Sequence, residues 1–316
     1  MKITKTTVAF FGTSDRSIPI LEALNTNFKL SLCVTKKDVK VGRNQECKET
    51  GVKVWAKANK VNFVEIDSLK DADLEKVTRA LESEKVEYII VADFSYIVPD
   101  QLLQKYENSR IINIHFSLLP KYRGASPVQF AILNGDENTG ITFQLVHRRM
   151  DAGAILYQIV YKMAYNETSG ELYDTLFKIS AEKLPQILAN YFSGKTTPLA
   201  QDEEKATYTY SKTHPTHTFI YKEDAQINWK NGTEVIERQI RAFNPWPISW
   251  TYLKELENNS TLSQKFKFKK HIDKELPVKI YETAVIERKL AIKTLQVAGK
   301  TKMTWKEFEN GYMEKD

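Results

Sequence analysis

From Thr7 to Tyr191 the chain alternates short, mostly apolar runs with amphipathic stretches, and this alternation limits the fold more than any other feature. Thr7 to Phe11, Leu30 to Val34, Val61 to Ile66, Val86 to Ala92 and Arg110 to Ile114 read as strands. Between them Ile18 to Leu24, Val52 to Ala58 and Leu69 to Ser83 read as helices, the last with Leu74, Val77 and Leu81 at helical spacing. Strands alternating with helices predict an α/β fold with a doubly wound, mostly parallel sheet. Runs that are apolar throughout, such as YIIVA, suit a sheet covered on both faces. Ile141 to Val146 and Ile155 to Met163 add two strands, and Glu171 to Tyr191 reads as a helix that closes this first domain.

A chain of 316 residues is about twice the usual domain length, so a second domain is expected. The stretch GKTTPLAQDEEKATYTY has the composition of a connection, which gives a first domain over 1–194, a linker over 195–207 and a second domain over 208–316. In the second domain Ser249 to Leu253, Lys265 to Lys269, Val278 to Tyr281 and Leu290 to Leu295 look like short strands, with a helix from Glu234 to Ala242. Short strands with one helix predict a small β-barrel.

Apolar residues make up 42% and charged residues 27%, with 12 Gly and 10 Pro, which excludes disordered and collagen-like chains. The longest apolar runs, such as Tyr88 to Ala92, fall far short of the roughly 18 residues a membrane span needs. The apolar stretch Val8 to Phe11 is too short for a signal-peptide core. Two cysteines make no disulfide framework and have no metal-like spacing, so a reducing cytoplasm is the expected location. Cys33 reads as a small core hydrophobe and Cys47 as a solvated thiol. Positive charge is concentrated late: residues 208–316 hold 19 Lys+Arg against 14 Asp+Glu, net +5, leaving 27 against 26 elsewhere. In QKFKFKK, a strand would project Lys265, Lys267 and Lys269 from one face and Phe266 and Phe268 from the other. Such a stripe is either a solvated face or a nucleic-acid footprint.

The turn after the first strand, FFGTS, carries only Gly12 of the three glycines that a dinucleotide fingerprint requires, and no P-loop lysine pattern exists. The informative segment is INIHFSLLPKYRGASPVQFAILNGDENTGITFQLVHRRMDAGAIL, which starts at a strand end, where open α/β sheets bind ligands. Asn113 and His115 are two apart, so their side chains share one face of that strand. An amide that donates to a developing oxyanion beside an imidazole that moves a proton suits acyl transfer. Asp151, in the turn DAG after the next strand, is a candidate to orient the imidazole. No G-x-S-x-G elbow is present, which favours direct transfer between two bound substrates over a covalent intermediate. Taken singly, each of the three residues reads more readily as structural: a histidine at a strand end, an aspartate forming a turn and an asparagine capping one. His147, His214, His217 and His271 lack carboxylates arranged as a catalytic set and are assigned no function.

NIHFSLLPKYRGASPVQFAILNGDENTGIT followed by MDAGAIL closely resembles the core of the formyltransferase family, an N-x-H-x-S-L-L-P strand and loop completed by a downstream aspartate. FFGTSDRSIPILEAL, VADFSYIVPDQLL, EDAQINW, RQIRAFNPWP and IKTLQVAGKTKMTWKEF resemble, in order, the methionyl-tRNA formyltransferase branch along nearly the whole chain. The resemblance implies transfer of formyl from 10-formyltetrahydrofolate to the amino group of methionyl initiator tRNA, without a metal. It implies that His115 moves the proton, that Asn113 faces the formyl oxygen and that Asp151 positions the histidine. Ser117, Leu118, Leu119 and Pro120 match the loop that touches the folate. TKKDVKVGRNQECKETGVK, with Lys36, Lys37, Lys40, Arg43, Lys48 and Lys53, is similar to the flexible basic loop that approaches the tRNA acceptor end. The second domain is similar to the family's OB-like barrel, whose basic surface, here Lys265, Lys267 and Lys269, would hold the tRNA body. The expected protein is a monomer with tRNA and folate as partners and no membrane.

The chain departs from that family pattern at four places. Ser14, Asp15 and Arg16 replace a Pro and an aromatic after the opening GT, and His147, Arg148 and Arg149 replace acidic residues before the DAG turn. Gly51 stands where a proline usually ends the basic loop, and Phe116 fills a position that is often Pro. These changes bear on the acceptor site more than on formyl transfer. A formyltransferase acting on an amino sugar nucleotide is the alternative enzyme, and a non-catalytic tRNA-binding protein the alternative from another class.

Overall fold

The computed structural model describes residues 5–41 and 46–314. Its elements run in chain order as β1 (Thr7–Phe11), α1 (Ile18–Asn27), β2 (Lys29–Lys36), β3 (Val39–Val41), β4 (Glu46–Lys48), α2 (Gly51–Ala58), β5 (Asn62–Ile66) and α3 (Asp71–Ser83). They continue as β6 (Tyr88–Val91), α4 (Asp100–Lys105), β7 (Ile111–His115), α5 (Pro127–Asn134), β8 (Asn138–Leu145), β9 (Ile155–Lys162) and α6 (Ser169–Phe192). After residue 208 come α7 (Thr233–Ala242), β10 (Ser249–Tyr252), β11 (Pro277–Ile286), β12 (Lys289–Val297), β13 (Met303–Thr304) and α8 (Trp305–Tyr312). No helix among the described residues is long and apolar enough to cross a membrane.

Two compact units emerge: residues 1–123, 140–161 and 173–207 form the first, and 124–139, 162–172 and 208–316 the second. The large sheet has the order β5-β2-β1-β6-β7-β8-β9. Strands β5, β2, β1, β6 and β7 are parallel, and β8 runs antiparallel to β7. The strands sit where the apolar runs predict because every residue of β1 is buried, as a sheet covered on both faces demands. Ala9, Phe11, Leu32 and Val34 pack with Val77 and Leu81 of α3 and Leu102 and Leu103 of α4. By alternation Phe10 and its neighbour Cys33 take the opposite face. Each such buried side chain contributes about 1.5–3 kcal/mol.

The second unit holds the antiparallel sheet β10-β11-β12-β13, the core of the OB-like domain. Its interior gathers Ile236 and Ile240 of α7, Val278 and Ile280 of β11, Leu290, Ile292 and Leu295 of β12, and Trp305 and Phe308 of α8. The segment Lys265 to Lys269 corrects one expectation: it is extended but is not a laddered strand. Only Phe268 makes a bridge, to Met313, with Lys269 N–H donating to the Tyr312 carbonyl (3.0 Å) and Glu314 N–H to that of Lys267 (2.9 Å). The alternation survives because Phe266 and Phe268 pack against Phe308 while Lys265 and Lys267 stay exposed.

The basic segment after β2 also differs from a plain solvated loop. β3 and β4 pair antiparallel, Val39 opposite Lys48 and Val41 opposite Glu46. Lys53, grouped by sequence with the free basic charges, is buried, and its Nζ meets Asp38 (2.5 Å), Glu65 (2.8 Å) and Glu49 (3.1 Å). Hydrogen bonds to Asp38 and Glu65 raise its pKa above the ordinary lysine value. Hydrogen bonds from Lys57 and then Lys53 hold the Glu49 carboxyl below its usual range. Lys53 thus ties the base of the hairpin to α2 and β5, and it is not available to bind phosphate.

Lys53→Met should lower the melting temperature by about 5 °C at pH 7, because three partly buried carboxylates lose their shared cation. Lys53, whose folded pKa is raised, stays charged across neutral pH, whereas Glu49, whose folded pKa is lowered, loses its contribution only as acid protonates it. The difference between variant and wild type should therefore narrow at acid pH in thermal scans. Burial pushes the Cys33 thiol up to about 12, while Cys47 is exposed. Alkylation of the folded protein at pH 8 should accordingly label Cys47 and spare Cys33, as peptide mass mapping would report.

Candidate active site

β7 ends the parallel run of the sheet, and its register with β8 builds the site: Asn113 lies opposite Gln144 and His115 opposite Thr142. The two sequence-predicted residues of β7 therefore share a face, as their spacing requires. Asp151 arrives from the turn after β8. Its Oδ2 lies 3.6 Å from His115 Nδ1, and its Oδ1 accepts from Asn113 Nδ2 (3.4 Å) and Gln144 Nε2 (2.9 Å). His115 is 6% exposed. Its Nε2 lies 2.9 Å from the Tyr122 carbonyl. A carbonyl only accepts, so Nε2 carries the proton in this contact and Nδ1 faces the Asp151 carboxylate.

The turn that carries Asp151 admits no bulk. A Cβ on Gly153 would lie 1.7 Å from the Leu145 carbonyl oxygen, so glycine lets the turn close against the end of β8. Asp151 itself has φ +47, the left-handed region that short polar side chains tolerate best.

Thr142, opposite the histidine, fixes the following loop. Its Oγ1 donates to the Ser117 carbonyl (2.6 Å) and accepts from Leu119 N–H (3.2 Å) and Gln158 Nε2 (2.9 Å). Gln158 Nε2 also donates to the Leu119 carbonyl (2.9 Å). Ser117 is fully buried and its hydroxyl donates to the Lys121 carbonyl (2.6 Å). Of the four predicted folate-loop residues, Ser117 and Leu119 thus face inward, and Leu118 and Pro120 are half-buried. Leu118 packs where a Cβ on Gly140 would intrude, at 2.6 Å.

The remaining predicted residues are scattered. Lys36 is half-buried at the end of β2, Lys37 is exposed and pairs with Asp67, and Lys40 lies on β3 opposite Cys47. Arg43 lies outside the described residues. In the second unit Lys265 and Lys267 are exposed, but Lys269 Nζ donates to the carbonyls of Asn310 (2.8 Å) and Gly311 (3.0 Å), neutralising the end of α8. Sequence reasoning missed Gln144, Tyr122 and Gln201, each of which touches the three central residues or their turn. None belongs to a spacing pattern, and only the β7–β8 register could have pointed to Gln144.

The departures from the family pattern have local partners. A Cβ on Gly51 would lie 2.1 Å from Asp15 Oδ1 and 2.7 Å from its Cα, so the Asp15 loop occupies the space a larger residue would need. Arg16 donates to Asp174 (3.1 Å) and lies 5.1 Å from the centre of the Tyr173 ring. Phe116 stacks its edge near that same ring (5.7 Å) and near Phe177 (4.3 Å). Arg148 pairs with Asp100, and Arg149 with Glu203 (3.2 Å).

The chain has relatives in sequence and in fold. Residues 4–188 match the family described as Formyl transferase, and 219–313 match Formyl transferase, C-terminal domain. The methionyl-tRNA formyltransferase of Bacillus cytotoxicus is 33% identical over 310 residues, 96% of this chain and 95% of its own length. That of Bacillus thuringiensis subsp. konkukian is 32% identical over the same extent. Among solved structures, methionyl-tRNA formyltransferase from Clostridium thermocellum superposes with a TM-score of 0.58 at 16% identity, covering 92% of this chain and 98% of that one. WlaRD, a sugar 3N-formyl transferase, gives 0.57 at 18% identity, covering 94% and 99%, a likeness of fold alone. With both halves matched and full-length relatives aligned from end to end, the chain belongs to the formyl transferase family.

Proposed function

We propose that this chain transfers the formyl group of 10-formyltetrahydrofolate to the free amino group of methionyl initiator tRNA, by direct transfer and without a covalent enzyme intermediate. The observation that carries the reading is the convergence of Asn113, His115 and Asp151 at the end of β7, with the carboxylate between the amide and the imidazole. The full-length likeness to relatives named methionyl-tRNA formyltransferase supports the acceptor.

The chemistry follows from the atoms present. The methionyl amine attacks the formyl carbon, a carbon–nitrogen bond forms, and the carbonyl oxygen takes up negative charge. An amide has two N–H donors, so Asn113 can hold Asp151 with one and meet the oxyanion with the other. The amine's excess proton passes to His115 Nδ1, and the imidazolium is stabilised by Asp151 Oδ2 at 3.6 Å. The same proton then goes to N10 as its bond to the formyl carbon breaks, which returns His115 to its starting state. Holding amine and formyl carbon together supplies much of the remaining rate. The half-buried Leu118 and Pro120 offer the folate an apolar edge. Lys36, Lys37, Lys40 and Arg43 would meet the acceptor end, and Lys265 and Lys267 the tRNA phosphates. A reaction on charged tRNA places the protein in the cytoplasm.

An assay offering methionyl initiator tRNA and an amino sugar nucleotide side by side tests the reading. Formylation of the tRNA is expected, and formylation of the sugar alone would refute it. His115→Ala should lower kcat by about 10²- to 10⁴-fold and leave tRNA affinity within twofold. Unchanged turnover would remove the mechanism. Binding of tRNA should weaken at least tenfold between about 50 and 200 mM salt, as release of counterions from phosphates requires; filter-binding titrations at several salt concentrations would measure the slope.

A further inference from the structure

Residues 195–207, whose composition is that of a connection, are bound to the first unit at several points. Leu199 exchanges two backbone hydrogen bonds with Ile155 (2.7 and 2.9 Å). Thr207 accepts at its carbonyl from Arg123 N–H (2.8 Å) and at its hydroxyl from Tyr122 N–H (2.9 Å), and its own N–H donates to the Pro120 carbonyl (3.1 Å). Tyr122 is the residue whose carbonyl receives His115 Nε2. Between these anchors Gln201 reaches the turn of Asp151. Its Nε2 donates to the carbonyls of Asp151 (2.8 Å) and Gly153 (2.8 Å) and lies 3.3 Å from Gln144 Oε1.

The orientation of that amide is fixed by chemistry. Its Oε1 accepts from Arg123 Nε (3.1 Å) and Nη2 (2.8 Å), and a guanidinium has only donors. The oxygen must therefore face Arg123 and the NH2 must face the turn. Arg123 is fully buried, so it is held by what it binds: Gln201 on one side and Glu203, at 3.1 and 2.9 Å, on the other. The polarity passes onward. Gln144, receiving from Gln201 at Oε1, presents its own NH2 to Asp151 Oδ1, which leaves Oδ2 toward His115.

We propose that Gln201 is a positioning residue for formyl transfer, acting through Asp151 by pinning the 151–153 turn and setting the carboxylate's angle to His115. The connection between the halves of the chain is by this account part of the catalytic machinery. The inference rests on the role assigned above to Asp151 and His115, and goes beyond it by placing a determinant of rate in residues 195–207.

Two substitutions separate positioning from folding. Gln201→Met keeps the volume and removes donor and acceptor alike. Gln201→Glu keeps an acceptor for Arg123 but sets a carboxylate oxygen against two carbonyls. Both should lower kcat about 10- to 100-fold, the scale of a misplaced catalytic group, with KM for either substrate within twofold. Gln201→Glu should melt within a few degrees of wild type, since Arg123 retains its partner. In an Asp151→Ala background Gln201→Met should add nothing, because residues acting through one another are not additive.

A kcat within twofold of wild type in Gln201→Met, a loss confined to KM, or a full further loss on top of Asp151→Ala would overturn the proposal. If Gln201→Glu does not fold, the Asp151→Ala comparison decides. Wild type and His115→Ala run alongside: a wild type inactive on both acceptors refutes the reading of the reaction, whereas an active wild type matched by Gln201→Met refutes the role of Gln201 alone.

Discussion

The antiparallel register of β7 on β8 is the constraint on which the site depends. A slip of one residue would turn every side chain of β7 to the opposite face of the sheet. With the observed register, Asn113 faces Gln144, and both amides reach one carboxylate oxygen of Asp151. The same register sets Thr142 opposite His115, and Thr142 then fixes Ser117 and Leu119 two and four residues further on. One pairing thereby places His115, Asn113 and the start of the loop expected to meet folate. The parallel strands before it act as the rigid frame, buried on both faces, that keeps this end of the sheet in position.

What was legible in the sequence follows the range of each physical signal. Burial writes itself as apolar runs, most plainly where both faces are covered as in β1, and β1, β2, β5, β6 and β7 begin and end within a residue or two of Thr7 to Phe11 and its counterparts, although the edge strand β5 leaves Asn62 exposed. The Asn113 and His115 pair was legible because a strand's period of two is local. The meeting of that pair with Asp151 needed the family likeness, since nothing within the segment says that the DAG turn folds back. The charged segments misled for the opposite reason. Lysine is solvated in most contexts, and Lys53 differs only because Asp38, Glu49 and Glu65 come from three separate pieces of chain. Lys265 to Lys269 alternates like a strand, yet among the described residues its backbone bridges at one place, Phe268 to Met313. Alternation reports which side is buried, not whether a ladder forms.

Gln201 and Arg123 show a third kind of illegibility. A glutamine in a polar, proline-containing connection has no periodicity and no motif, and an arginine after SLLPKY reads as one more surface charge. Their significance lies in the match of donors to acceptors. A buried guanidinium, which can only donate, forces the amide beside it into one orientation, and a chain of two amides carries that orientation to the carboxylate. Buried polar groups of this kind are costly unless satisfied, so once formed such a network holds its members tightly.

The departures from the family pattern can be argued in the same terms. Asp15 occupies the space that Gly51 leaves, and a Cβ at 51 would strike its Cα as well as its carboxylate, so the Asp15 loop in this position needs glycine at 51. Arg16 is neutralised by Asp174 and rests on Tyr173, whose ring also meets Phe116, so two further departures share one aromatic support. Arg148 and Arg149 add positive charge before the DAG turn, yet Asp100 and Glu203 take it up. Glu203 serves both Arg149 and the buried Arg123, and hydrogen bonding from Arg123 holds its carboxyl below the usual range. The charge of Arg149 is therefore absorbed by the same strap that supports the turn, and that of Arg148 by Asp100 at the start of α4. An acidic residue at 148 would face Asp100 and one at 149 would face Glu203, so either reversal would set carboxylate against carboxylate.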